Sequence, residues 1–202
     1  MKGLYLVTPD WDDTERLVAV SEQAILGGAS LLQYRHKTAN EPLRHEQAAA
    51  LLKLCRRLNV PLIINDHLEL CEAIDADGIH VGGTDASVAS MRAQLGTTKI
   101  VGASCYGDLQ LARQAQASGA SYLAFGGFYP SRVKKYAVTT SPDIITTALA
   151  EFNLPLCVIG GMTPENSRVL IDRGAHMVAA ISSVYSADDP HLAASEFADM
   201  FR

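Results

Sequence analysis

The chain has 202 residues, 48% hydrophobic and 19% charged, a balance that excludes a disordered or low-complexity protein and suits one domain over residues 1–202. Its net charge of -5 and pI near 5.6 argue against a nucleic-acid or membrane-surface binder, so an anionic ligand needs a local cationic cluster. No apolar stretch is long enough to span a bilayer and Pro9 ends the first apolar run too soon for a signal peptide, while Cys55, Cys71, Cys105 and Cys157 are widely spaced without a C-x-x-C pair, so reduced thiols in a cytoplasmic protein are expected.

In chain order, short apolar or β-branched runs begin near Leu4, Leu31, Pro61, Gly78, Ile100, Tyr122, Leu156 and Met177. Most are apolar on both faces, as in Leu62-Ile63-Ile64 and Val178-Ala179-Ala180-Ile181, which suits a parallel sheet covered by helices. Between the second and third runs, Ala48, Leu51, Leu52, Cys55 and Leu58 make an apolar stripe at helical spacing. Asp108 is placed to cap a helix that ends at Gly119, Ser141-Pro142 is a further start signal, and Thr163-Pro164 opens a helix that stops at Gly174. Eight runs in 202 residues leave about 25 residues for each strand, helix and pair of loops. The reading is α/β, a single-domain (β/α)8 TIM barrel. An open doubly wound sheet is the runner-up, disfavoured because no G-x-G-x-x-G follows the first run.

In such a barrel the chemistry sits at the C-terminal ends of the strands. The second run ends in Gln33-Tyr34-Arg35-His36-Lys37, and alternation points Gln33, Arg35 and Lys37 the same way. That is an amide and two cations on one wall, suited to phosphate oxygens and a heterocycle edge, or else a solvated strand end. The third run ends in Asn65-Asp66, and Gly82-Gly83-Thr84-Asp85 follows the fourth. Asp66 and Asp85 together suit one Mg2+; singly, Asp66 also suits a turn and Asp85 a helix cap. Ser104 ends the fifth run, and Cys105 beside it reads as packing. The stretch from Gly126 to Thr140, with Phe128, Tyr129, Ser131, Arg132, Val133, Lys134 and Lys135, is a candidate lid over an anion. Gly160-Gly161 after the seventh run and Ile181-Ser182-Ser183 after the eighth suit a backbone-built phosphate site, though a Gly-Gly pair also eases a tight turn. Two anion sites in one mouth point to the joining of two phosphorylated small molecules.

The chain resembles the thiamine phosphate synthase family over nearly its whole length. The resemblance rests on G-L-Y-L-V-T at Gly3, Q-Y-R-H-K at Gln33, I-N-D at Ile64, A-D-G-I-H-V-G at Ala76 and G-A-S at Gly102. It continues in Y-L-A-F-G at Tyr122, P-S-R-V-K at Pro130, I-G-G at Ile159 and A-I-S at Ala180. It implies a transferase that couples hydroxymethylpyrimidine pyrophosphate to a thiazole phosphate and releases pyrophosphate. It implies that Gln33, Arg35, Lys37, Asn65, Ser104 and Lys134 contact the pyrimidine pyrophosphate, with Tyr34 and His36 in the same motif. Asp66 and Asp85 would bind Mg2+, and Ser131, Arg132, Val133, Gly161, Ile181 and Ser182 would surround the thiazole phosphate. Arg35, Lys37, Lys134 and Ser104 are the expected catalytic residues, the three cations stabilising the leaving group.

Two departures stand out. The family often reads T-x-T-K where this chain has Ser131-Arg132-Val133-Lys134, and Gly83 replaces a common glutamine. Related thiazole tautomerases, which are isomerases, lose pyrimidine-site residues and carry a histidine near the end of strand five. Here those residues are present and Tyr106 stands in that place, which favours the transferase over an isomerase or a non-catalytic phosphometabolite-binding barrel. Oligomeric state is left open, because the outer helices show no clear apolar excess.

Overall fold

The computed structural model describes residues 1–82, 87–130 and 139–202. The elements in chain order are β1 (Gly3–Val7), α1 (Thr14–Leu26), β2 (Ala29–Tyr34), α2 (Glu41–Leu58), β3 (Leu62–Asn65), α3 (Leu68–Ala73), β4 (Gly78–Val81) and α4 (Val88–Leu95). They continue with β5 (Ile100–Tyr106), α5 (Leu109–Ala117), β6 (Tyr122–Gly126), α6 (Asp143–Glu151), β7 (Leu156–Ile159), α7 (Pro164–Asp172), β8 (Met177–Ala180), α8 (Ser182–Tyr185) and α9 (Pro190–Asp199). Among the described residues the strands form one closed parallel barrel in sequence order. β8 returns to β1 with Met177 opposite Gly3 and Ala180 opposite Leu6. The eight expected runs coincide with the strand starts to within two residues.

Strand alternation sorts the side chains into two cores. Tyr5, Val7, Leu31, Ile63, Tyr122, Ala124, Cys157, Met177 and Ala179 fill the barrel interior. Their neighbours Leu4, Leu6, Leu32, Ile64, Leu123, Phe125 and Val178 face outward and pack under the helices. Each strand is buried on both faces, which is why the runs read as continuously apolar. Along α2 the buried face is Gln47, Ala48, Leu51, Leu54 and Cys55. Leu54 therefore takes the place expected of Leu52 and Leu58, which are half-buried at the stripe's margins.

The helix starts follow local chemistry. The side chains of Asp13, Asn40, Asp108, Thr163 and Asp189 each accept a hydrogen bond from a first-turn amide, worth about 1 kcal/mol apiece. The Ser87 side chain caps α4 by accepting from the Ser90 amide, while Asp85 lies outside the described residues. Among the described residues no helix is long and apolar enough to cross a membrane.

All four cysteines are buried and unbridged. Burial pushes the thiols of Cys55 and Cys105 up to about 12 and that of Cys71 to about 11. The thiolate is the reactive form. Native protein at pH 8 is therefore expected to react with a disulfide reagent such as DTNB at well under one equivalent over minutes, and with all four thiols in guanidinium. A fast full equivalent in the native state would show that one thiol is more open than its packing implies.

Candidate active site

Gln33, the last inward-facing residue of β2, donates from Nε2 to the Tyr5 hydroxyl at 2.7 Å inside the barrel. β2 ends one residue later, so Arg35 and Lys37 sit on the following loop and not on the strand. That loop is tied to the end of β1. The Arg35 amide donates to Thr8 Oγ1 at 2.8 Å, and Thr8 Oγ1 donates back to the Arg35 carbonyl at 2.9 Å. Arg35 is 8% exposed, and its Nη1 donates to Asp10 Oδ1 at 3.3 Å. The Lys37 amide donates to the same oxygen at 2.9 Å.

Lys37 Nζ reaches across to β3 and donates to Asp66 Oδ2 at 2.9 Å; Asn65 Nδ2 donates to that oxygen at 2.7 Å. Burial alone would raise the Asp66 carboxyl. Lys37, the Gly82 amide and Asn65 outweigh it and hold the group below its ordinary 3.8, so it is ionised at neutral pH. Asp66 has φ 63° and Tyr106 φ 51°, uncommon for non-glycine residues. The two flank Gly82. Asp66 Oδ1 and the Tyr106 hydroxyl each lie 3.9 Å from where a Gly82 side chain would begin.

Ser104 lies near the end of β5. Its Oγ is 2.9 Å from His80 Nε2, and the other ring nitrogen, Nδ1, is 2.8 Å from the Tyr122 hydroxyl. At the far rim, Gly161 has φ 64° and the Pro130 carbonyl occupies the place of a side chain, so a glycine is required there for close approach of the two loops. Asn166 Nδ2 donates to the Gly161 carbonyl at 2.9 Å. Ile181 precedes α8 and Ser182 opens it; Ser183 Oγ is buried there without a partner among the described residues. The ends of the candidate lid meet, with Thr140 Oγ1 donating to the Gly126 carbonyl at 2.7 Å.

Of the expected residues, Arg35, Lys37, Asn65 and Asp66 share one linked group, and Gln33 and Ser104 are joined by a second. Asp85, Ser131, Arg132, Val133 and Lys134 lie outside the described residues. Tyr34 and His36 are engaged elsewhere in the protein. Tyr34 turns outward beneath α2 and donates to Gln47 Oε1 at 3.0 Å. His36 uses Nε2 on Asp12 at 3.1 Å and accepts the Ala39 amide at Nδ1. Both fasten the scaffold: Tyr34 lies on the face of β2 opposite Gln33, and His36 ties the following loop to Asp12 and Ala39.

Sequence reasoning missed Asp10, His80, Tyr5 and Tyr122. Asp10-Trp11-Asp12-Asp13 looks like an acidic surface turn, yet Asp10 holds Arg35 and Lys37, Asp12 holds His36, and Asp13 caps α1. His80 had a legible signal: a polar residue inside the apolar run Gly78–Val81.

A divalent ion can be tested against this donor set. Asp66 offers an ionised carboxylate of hard oxygens, and Mg2+ typically takes only one or two protein carboxylates beside phosphate and water. Among the described residues no group of three or more His, Cys, Asp or Glu is arranged to hold a metal ion. An ion at Asp66 would therefore draw its other ligands from substrate, water or residues outside the described set. The residues present fit such an ion.

A family profile described as thiamine monophosphate synthase matches residues 4–184. The chain is 63% identical over 201 residues to a thiamine-phosphate synthase of Janthinobacterium sp. (strain Marseille), covering 100% of this chain and 97% of that one. It is 48% identical over 202 residues to the thiamine-phosphate synthase of Methylobacillus flagellatus, covering 100% and 96%. Among solved structures, a thiamine phosphate pyrophosphorylase from Pyrococcus furiosus superposes with TM-score 0.84 at 27% identity, covering 98% of this chain and 95% of the other.

Proposed function

The chain belongs to the thiamine monophosphate synthase family and is an enzyme of the transferase class, and from that premise we propose that it joins hydroxymethylpyrimidine pyrophosphate to a thiazole phosphate, giving thiamine phosphate and pyrophosphate. The observation that carries the reading is the linked wall of Arg35, Lys37, Asn65 and Asp66 at the mouth, in a chain whose overall charge is negative. The reading treats residues 1–202 as one (β/α)8 domain.

The site would hold the diphosphate of the pyrimidine substrate against Arg35 and Lys37. Lys37 is half exposed and bonded to one carboxylate, so it can move onto a phosphate oxygen at little cost. Arg35 is buried and pinned by Asp10, which gives its guanidinium a fixed place. The bond between the pyrimidine methylene carbon and the diphosphate oxygen breaks, and the electron pair leaves with the diphosphate. The ring's amino group feeds density to the cation-like carbon, and the thiazole nitrogen then forms the new C–N bond with its own pair. Mg2+, when bound, supplies positive charge that neutralises the departing diphosphate. Asp66 would hold the ion, with Asp85 as its second carboxylate. Lys134 would add a further cation from the lid. Ser131, Arg132, Val133, Gly161, Ile181 and Ser182 would receive the thiazole phosphate. No protein nucleophile or strong base is required, so positioning and fixed charge supply the acceleration.

The test is direct. Protein, Mg2+ and the two substrates are expected to yield thiamine phosphate with one pyrophosphate per turnover, and excess EDTA to stop it. Product formed at an unchanged rate in EDTA would remove the metal from the scheme, and no product at all would remove the coupling reaction.

A further inference from the structure

A chain of hydrogen bonds crosses the barrel interior through five residues on five strands. From Gln33 Nε2 it runs to the Tyr5 hydroxyl at 2.7 Å, then to the Tyr122 hydroxyl at 2.7 Å, to His80 Nδ1 at 2.8 Å, and from His80 Nε2 to Ser104 Oγ at 2.9 Å. Tyr5 and Tyr122 meet edge to face, with ring centroids 5.8 Å apart. Both rings are essentially unexposed. The crossing exists because of one glycine. His80, Gly102 and Tyr122 are register neighbours on β4, β5 and β6, and a side chain at Gly102 would run into the end of the Tyr122 ring. With no side chain on the middle strand, the two outer residues bond over it.

Such a chain has a sense. Burial pushes both phenols far up, so each keeps its single proton and donates once. If Gln33 donates its amide N–H to Tyr5, then Tyr5 gives its proton to Tyr122, and Tyr122 gives its own to His80 Nδ1. The two ends are then set together: Gln33 turns Oε1 outward as an acceptor, and Ser104 keeps its hydroxyl proton for a ligand. An amide otherwise presents either of two near-isosteric faces.

We infer that Tyr5 and Tyr122 are positioning residues that fix the Gln33 amide with its carbonyl oxygen toward the substrate, so that the site selects a pyrimidine carrying an amino group over its oxo counterpart. This rests on the pyrimidine reading of the site. An acceptor facing an amino N–H makes a hydrogen bond. An acceptor facing a carbonyl leaves two buried oxygens unpaired, which disfavours the oxo ligand by about tenfold or more.

The experiment compares binding of hydroxymethylpyrimidine pyrophosphate and of its 4-oxo analogue, by calorimetry with Mg2+ and without thiazole phosphate. Wild type is expected to prefer the amino compound by about tenfold or more. In Tyr5→Phe the amide loses its partner and is free to turn, so the preference is expected to fall toward unity. In Tyr122→Phe the Tyr5 proton has lost its acceptor and is redirected to Gln33 Oε1. The amide turns over, and the preference is expected to vanish or invert. Loss of packing alone weakens both ligands equally and leaves the ratio unchanged, and that result in both variants overturns the inference. If one variant fails to fold, the other decides by the same ratio. Wild type that binds the amino compound without preferring it overturns the inference and leaves the pyrimidine reading standing. Wild type that binds neither compound overturns both.

Discussion

Replacing Asp66 with asparagine is expected to lower the coupling rate by a factor on the order of a hundred to a thousand while the barrel stays folded. The carboxylate accepts from both Lys37 Nζ and Asn65 Nδ2, and it offers the hard oxygens a divalent cation takes. Asparagine keeps the shape and tolerates the φ of 63° that alanine would resist, so the loss reports charge and not backbone strain. Lys37 is half exposed and stays hydrated without its partner, so the melting temperature is expected to move by only a few degrees. Steady-state rates at saturating substrate, with a thermal melt by circular dichroism, measure both effects. Turnover close to that of the unaltered protein would end the role assigned to Asp66.

The pH behaviour of this group has a definite sign. Its folded-state value lies below the ordinary 3.8, so the ionised form favours the folded protein. That contribution is fully present above the ordinary value and is lost as pH falls through the folded one. Asp66 therefore adds no limb to a rate profile between about pH 5 and 8, and any fall in that window belongs to other groups or to the substrates.

Gly102→Ala is expected to cost about 3 kcal/mol of stability and to lower the melting temperature by roughly 6–12 °C. The new methyl group would collide with the Tyr122 ring, which is fully buried among Tyr5, His80 and the interior core and has nowhere to retreat. The same change would part Tyr122 from His80, so binding discrimination is expected to fall with stability. A double-mutant cycle separates the collision from any general effect of losing a glycine. Gly102→Ala in a Tyr122→Leu background is expected to cost much less than in the wild type, by at least 1 kcal/mol. Equal costs in both backgrounds would mean that the ring is not the obstacle.

Much of the barrel is written locally. Side chains that are apolar on both faces, in runs of four to seven residues, require cover on both sides, and only helices between successive strands provide it. The caps Asp108 and Thr163 act on amides two or three residues away, so a short window of sequence contains all their physics. The polar character of the segment Gln33 to Lys37 was legible for the same reason, since long polar groups at a strand end need partners; strand alternation covers only Gln33, because β2 ends at Tyr34 and the loop places Arg35 and Lys37.

What sequence alone determined is therefore the period of the chain, the class of fold, and which strand ends carry charge. The tertiary structure decided who meets whom. Tyr5 and Tyr122 stand 117 positions apart and bond only because β1 and β6 face each other across a closed barrel. His80 reaches Tyr122 only because register places a glycine between them, and Asp10 grips Arg35 only because the β1 and β2 ends lie side by side. Parity along one strand fixes the face a residue takes. Pairing across strands depends on closure and register, which are set by the packing of the whole ring, and no short window of the chain contains them.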